Sequence, residues 1–148
     1  MNKKLQDKLF KKYPKIFAQR TLDLTQTSMC WGLEVSDGWY DLLDVLCGDI
    51  QHYVDSSKAS SSVPQVEAIQ VKEKFASLRF YYQGGNDYIG GMVAMAESMS
   101  ARICEECGRP GKTMGKGWFY TRCTRCFKRL EASRKPAVRN KQLQLKEI

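Results

Sequence analysis

The chain has 148 residues, 43% of them apolar and 11% aromatic, which is enough for one domain with a real core. No run of about 18 apolar residues occurs, so no transmembrane helix is expected. The net charge of +8 is segregated, at +6 over residues 1–20, −7 over 21–100 and +9 over 101–148, so a polyanionic partner belongs to the two ends and is repelled by the middle.

In residues 3–13, Leu5, Leu9, Phe10 and Tyr13 recur at helical spacing, with Lys3, Lys4, Lys8, Lys11 and Lys12 around the rest of the turn. Pro14 ends or bends that helix. It reads as a basic arm for nucleic acid or an acidic protein, or as a surface helix with solvated lysines. Charges interrupt any apolar stretch here, so it is no secretory signal. Residues 21–35 have no clear period, and TQTSMCWGLEV reads as a loop entering a short strand in which Met29, Trp31 and Leu33 alternate. Ser36 or Asp37 then caps the strongest helix of the chain, running to about Asp55. Trp39, Leu42, Leu43, Leu46, Cys47, Ile50, Tyr53 and Val54 share one of its faces, and Asp37, Asp41, Asp44 and Asp55 the other. That acidic stripe is either the wet side of a helix or a dock for a basic partner. His52, the only histidine, lies off the apolar face with no acid or nucleophile beside it, which makes it a poor catalytic base.

SSKASSSVPQ, residues 56–65, is a polar flexible connection. Val66–Lys74 and Ser77–Gln83 read as a hairpin turning over Lys74–Ser77. Ile69 and Val71 fall on one side of its first strand, and Leu78, Phe80 and Tyr82 on one side of its second. Gly84, Gly85 and Asn86 end the hairpin without the spacing of a phosphate-binding loop. A second long helix, capped by Asn86 or Asp87, is expected to about Ile103. Tyr88, Ile89, Met92, Val93, Met95, Ala96 and Met99 form its apolar side, the methionines reading as core filling rather than as a groove. It runs into Cys104, which couples the following module rigidly to the core.

That module reads CEECGRPGKTMGKGWFYTRCTRC. Cys104/Cys107 and Cys123/Cys126 are two C-x-x-C pairs with fifteen residues between them, a spacing that delivers four thiolates to one tetrahedral zinc ion. Gly108 stands where the turn after the first pair needs tolerance of positive φ. Unpaired or disulfide-bonded cysteines are one alternative, and a redox pair is another, though redox motifs do not usually come as matched doubles. Four thiolates leave no open coordination position, so the zinc is expected to be structural. Cys30 and Cys47 read as buried free thiols. With no secretory signal and four cysteines at metal spacing, a reducing cytoplasm is the expected location. GWFYTR reads as a short strand returning to the second pair. A basic helix begins near Cys126, with Phe127 and Leu130 inward, and leads to a basic tail.

No G-x-S-x-G, H-E-x-x-H, Walker or zinc-deaminase pattern is present, so an enzyme is not expected. The zinc module offers a better case. Trp118, Phe119 and Tyr120 sit among Lys112, Lys116, Arg122, Arg125, Lys128 and Arg129, cations that suit phosphates beside rings that suit unpaired bases. The bland alternative is that Trp118 and Tyr120 cover the small core of a zinc ribbon whose arginines are merely exposed.

WGLEVSDGWYDLLDVLCGDI, VKEKFASLRFYYQGG and AMAESMSARICEECGRPG, within residues 31–111, resemble small bacteriophage- and prophage-encoded accessory proteins that carry a C-terminal four-cysteine zinc motif. The resemblance implies a role in modulating host machinery or blunting host defences. The expected architecture is α+β, two main helices on a small antiparallel sheet with a C-terminal zinc ribbon or knuckle. Its parts would be a basic N-terminal helix (1–20), an α+β core (21–103), a zinc-binding module (104–134) and a basic tail (135–148). The expected function is non-enzymatic binding of nucleic acid or a nucleoprotein through the zinc module. The alternative is a protein-binding inhibitor or modulator of a host enzyme or defence system, and no membrane partner is expected.

Overall fold

The structure, a computed structural model, describes residues 1–57 and 62–134. Part of the serine-rich connection and the basic tail 135–148 lie outside the described residues. The chain is α+β. Helices α1 (Lys3–Lys12), α2 (Tyr40–Ser56) and α3 (Asp87–Ser100) accompany a sheet of β1 (Leu33–Glu34), β2 (Glu67–Lys74) and β3 (Ser77–Gln83). Strands β4 (Lys112–Met114) and β5 (Tyr120–Arg122) and helix α4 (Thr124–Ser133) follow.

Asn2 caps α1 by accepting the Leu5 N–H at 3.1 Å, and Lys11 and Lys12 meet the negative end of its dipole. The helix is built into the core. Leu9, Ile16 and Phe17 are fully buried in the same cluster as Trp39, Leu43, Ile50 and Leu78. Lysines at its end and in the segment after it are engaged with the acidic stripe of α2. Lys12 Nζ lies 2.9 Å from Asp44, Lys15 Nζ lies 3.4 Å from Asp55, and the Tyr13 hydroxyl lies 2.8 Å from Asp44 Oδ1. The Asp44 side of α2 is therefore a seam against α1.

The apolar face read for α2 is the face it buries, with Leu43, Leu46, Cys47, Ile50 and Val54 inside and Leu42 and Tyr53 packed at its edge. Its expected caps serve elsewhere. Asp37 accepts from the Asn2 amide and side chain at 2.6 and 2.7 Å, Ser36 bonds Glu105, and the helix opens through a 3-10 turn at Asp37–Trp39. The expected alternation of Met29, Trp31 and Leu33 is corrected in the same way. Ser28–Trp31 forms a 3-10 turn that buries Met29 and leaves Trp31 67% exposed, and the strand begins only at Leu33.

β2 and β3 pair antiparallel, and β1 adds to β2 in parallel with Leu33 opposite Val71, so the small sheet is mixed. A bulge between Ala68 and Gln70 shifts the alternation, and Ala68 and Val71 are the buried pair in place of Ile69 and Val71. Strand β3 is an edge, but α3 covers it. The Leu78 N–H donates to Ser100 Oγ at 2.8 Å and the Phe80 N–H to Glu97 Oε1 at 2.9 Å, which removes the unpaired row that invites strand addition. Helix α3 ends at Ser100, earlier than expected, and leaves Met95 and Met99 exposed instead of filling the core.

The hairpin turn is unusual. Phe75 and Ala76 have φ of +52° and +61°, the geometry of a type I′ turn, which ordinarily takes Asn-Gly. Each non-glycine residue held there costs about 1 kcal/mol. Neighbours hold the turn in place: the Ala76 N–H donates to Glu73 Oε1 at 2.6 Å, and the Ala76 carbonyl accepts from Thr121 Oγ1 on β5.

Burial opposes the ionised form of Asp44, but Lys12 and Tyr13 outweigh it and lower its pKa. A depressed native pKa means that the contribution is complete above the unfolded value near 3.9 and is lost as pH falls through the native one. Asp44→Asn is expected to lower the melting temperature at neutral pH and to make stability fall less steeply below about pH 4, which thermal melts across acid pH will show.

Candidate metal centre

The centre begins where α3 ends. Residues 101–102 turn the chain, Ile103 bridges Pro110, and the Cys104 N–H donates to the Arg109 carbonyl at 2.7 Å. The Gly108 N–H returns to the Cys104 carbonyl at 2.8 Å, with Gly108 at φ +74° as the turn after the first pair requires. The second pair is presented by β5 and α4, with Cys123 as the residue capping α4 and Cys126 in its first turn. The Glu105 N–H donates to the Thr121 carbonyl at 2.9 Å and ties the two halves together.

The four Sγ atoms of Cys104, Cys107, Cys123 and Cys126 lie within 4.8 Å of one another and could hold a metal ion. Cys107 and Cys123 have their sulfurs 3.7 Å apart. Thiolates about 2.3 Å from a tetrahedral centre stand about 3.8 Å from each other, whereas a disulfide needs about 2.05 Å. The spacing is that of ligands around an ion, and the six cysteines are free thiols.

Electrostatics point the same way. Burial pushes the Cys104 thiol up, and burial together with the neighbouring thiols pushes Cys126 up to about 12. The Cys126 N–H at the start of α4, with help from the neighbouring thiols, brings Cys123 down to about 6. Thiolates packed this closely repel one another, and a dication held among them would compensate their charge. Arg129 Nη2 lies 3.6 Å from Cys126 Sγ, a donor to a ligand sulfur.

The centre is locked to the core by one short segment, Ser36–Trp39. The Trp39 indole N–H donates to the Ile103 carbonyl at 2.9 Å, the Gly38 N–H to the Glu105 carbonyl at 2.7 Å, and the Ser36 N–H and hydroxyl both reach Glu105 Oε1 at 3.0 Å. Burial raises the Glu105 carboxyl pKa against those two hydrogen bonds, which favour the ionised form. Gly38 has an ordinary φ and is required for space. A Cβ there would stand 2.2 Å from the Cys104 carbonyl oxygen and 2.6 Å from the Cys107 nitrogen.

Of the cations and rings expected to meet a partner, Lys112, Lys116, Arg125 and Lys128 are exposed and Trp118 is 66% exposed. Three others are engaged inside the module. Arg122 is 12% exposed and pairs with Glu106 at 2.6 Å, Tyr120 is half-buried beneath the Arg122 and Arg134 guanidiniums, and Arg129 faces the Cys126 sulfur. Trp118 therefore does not cover the ribbon core, whereas Tyr120 does pack within the module. A hollow lined by Gly115, Lys116, Trp118, Phe127, Glu131 and Arg134 brings together cations and rings from the β4–β5 loop and α4. Phe119, in the same aromatic run, is exposed as well, while Arg134 carries no local mark in the sequence. His52 is exposed, and Cys47 is buried among core side chains that push its thiol pKa far up. Among the described residues no helix is long and apolar enough to cross a membrane. The chain matches no family model, no curated protein and no solved structure.

Gly38→Ala is expected to destabilise the fold by about 3 kcal/mol through backbone overlap and to weaken metal retention. Gly91→Ala, on α3 with no atom within 4 Å of the new methyl, is expected to stabilise by about 0.5–1 kcal/mol. Urea unfolding and metal quantification of the two variants check both signs.

Proposed function

We propose that the four thiolates hold a structural zinc ion and that the protein is a non-enzymatic binding protein whose basic metal module engages nucleic acid or a nucleoprotein. Four soft thiolates at tetrahedral spacing suit zinc, and a closed shell leaves no position for a substrate. Zinc would hold the Cys104–Gly108 turn against β5 and α4, a stretch with few buried apolar side chains of its own. The observation that carries the binding reading is the outward set of Lys112, Lys116, Trp118, Arg125 and Lys128. These stand on a stretch, residues 101–134, with nine basic and three acidic residues. Cations there release counterions from a phosphate backbone.

Purified protein is expected to contain one zinc per chain, and chelation to melt the β4–β5 hairpin and α4 while the core helices persist, as read by metal analysis and circular dichroism. Binding to short DNA or RNA is expected to fall steeply with salt, and Arg125→Ala and Lys128→Ala each to reduce the logarithmic salt slope by about one. No detectable binding to either nucleic acid at low salt ends this reading.

A second reading rests on a different surface. Leu42, Val45, Leu46, Met92, Met95 and Met99 line a hollow of about 280 Å³ between α2 and α3, with Asp49 at its edge. Exposed methionines on an apolar groove suit an adaptable contact with another protein. The resemblance to bacteriophage accessory proteins supports a host macromolecule as partner in either case. In a nuclease-treated pull-down, a protein partner lost on Met95→Lys and kept on Arg125→Ala supports this reading; a partner indifferent to Met95→Lys counts against it.

A further inference from the structure

We propose that Phe75, Trp118 and Phe119, extended by Lys72, Lys74 and Tyr81, form a platform on which the unpaired bases of a single-stranded nucleic acid stack. This rests on the nucleic-acid reading above. It adds the strand state of the ligand, and four of the six residues come from the core hairpin instead of the metal module.

Three large rings are turned to solvent at the meeting point of two loops. Phe75 is 77% exposed at the tip of the β2–β3 turn, and Trp118 and Phe119 are exposed in the loop between β4 and β5. With Glu73, Lys74 and Gly117 they line one cleft of about 350 Å³. The hydrogen bond from Thr121 Oγ1 to the Ala76 carbonyl joins the two loops, so their spacing is fixed by the fold. The β4–β5 loop is shaped to the same end. Gly115 has φ +126°, and a side chain there would strike the Trp118 carbonyl at 2.1 Å, while Gly117 has φ +77° with open space around it. The path that faces Trp118 outward is thus open to glycine at two positions.

Phe75 carries the argument. Its backbone sits at positive φ, where Asn or Gly is favoured, and its ring lies in water. Neither position benefits the isolated fold. Strain of this kind persists where the surrounding structure over-determines it, and it clusters at sites of function. The chemistry around the ring selects the ligand. Lys74 Nζ lies 5.4 Å from the Phe75 ring centre and Lys72 Nζ lies 5.6 Å from the Tyr81 ring centre, farther along the outer face of the hairpin. Glu73, the one carboxylate lining the cleft, is occupied with the Ala76 N–H. Flat rings interleaved with lysines serve bases and phosphates together. A duplex hides its base faces, so the platform selects unpaired strands.

Fluorescence anisotropy with a short oligodeoxythymidine and a duplex of equal length tests this, on the full zinc-loaded chain. The single strand is expected to bind more tightly than the duplex. Phe75→Asn and Trp118→Ala are each expected to weaken single-strand binding by about 10-fold. Phe75→Asn is also expected to raise the melting temperature, because Asn suits the turn. Equal binding of both probes, unchanged by Phe75→Asn and Trp118→Ala but weakened by Arg125→Ala, overturns the platform and leaves the nucleic-acid reading standing. Binding to neither probe overturns both. Loss of single-strand affinity in Phe75→Asn only together with a lowered melting temperature also overturns the platform, since the ring would then be structural.

Discussion

The contact between Ser36–Trp39 and Ile103–Gly108 is the constraint on which the rest of the structure depends. Trp39 is fully buried, yet its indole N–H must be satisfied, and the Ile103 carbonyl one residue before the first cysteine satisfies it. Gly38 lets the two backbones approach to hydrogen-bonding distance, and Ser36 holds the buried carboxylate of Glu105. The first pair of metal ligands is thereby placed by the core. The second pair must come to it, through β5 and the start of α4. A metal ion there would weld two segments already close, which lowers the entropic cost of closing the site.

The charge of the chain is divided by use. Lysines at the end of α1 and just after it face the acidic stripe of α2, with Lys12 at Asp44 and Lys15 at Asp55. Near the cysteines, Arg122 turns inward to Glu106, and Arg129, though exposed, reaches the Cys126 sulfur. What remains outward is a smaller set of cations set beside exposed rings. The outward face is thus a patterned surface of rings and charges, where the composition showed only an excess of bases. The strained turn at Phe75 belongs to that surface and is clamped to it by Thr121.

The periodic elements were legible because a single physical rule decides them. The apolar face of α2 and the extent of the β2–β3 hairpin follow from burial at periods of 3.6 and 2, and both were read with little error. The cysteine spacing was legible because four thiolates on two tight turns have few other uses. Misreadings occurred where a residue had two possible partners. Ser36 and Asp37 look like caps to the following helix, yet Glu105 and Asn2 claim them. The methionines of α3 fit the apolar side of a helix, but Met95 and Met99 stand exposed along an open hollow between α2 and α3. The bulge that moves Ile69 off the buried face leaves no local mark, since it depends on how β3 pairs.

By itself, then, the sequence determined the class of fold, the buried face of α2, the hairpin and the set of four cysteines that could hold a metal ion. Each of these is set by local spacing, and spacing is all that a chain displays before it folds. The tertiary structure alone decided which arginines are paired and which cations are outward, that Gly38 must be small, and that Phe75 stands beside Trp118. The last two depend on residues about 40 to 70 positions apart meeting in space, and the first on the pairing of Arg122 with Glu106, 16 positions away; only the packed structure brings them together.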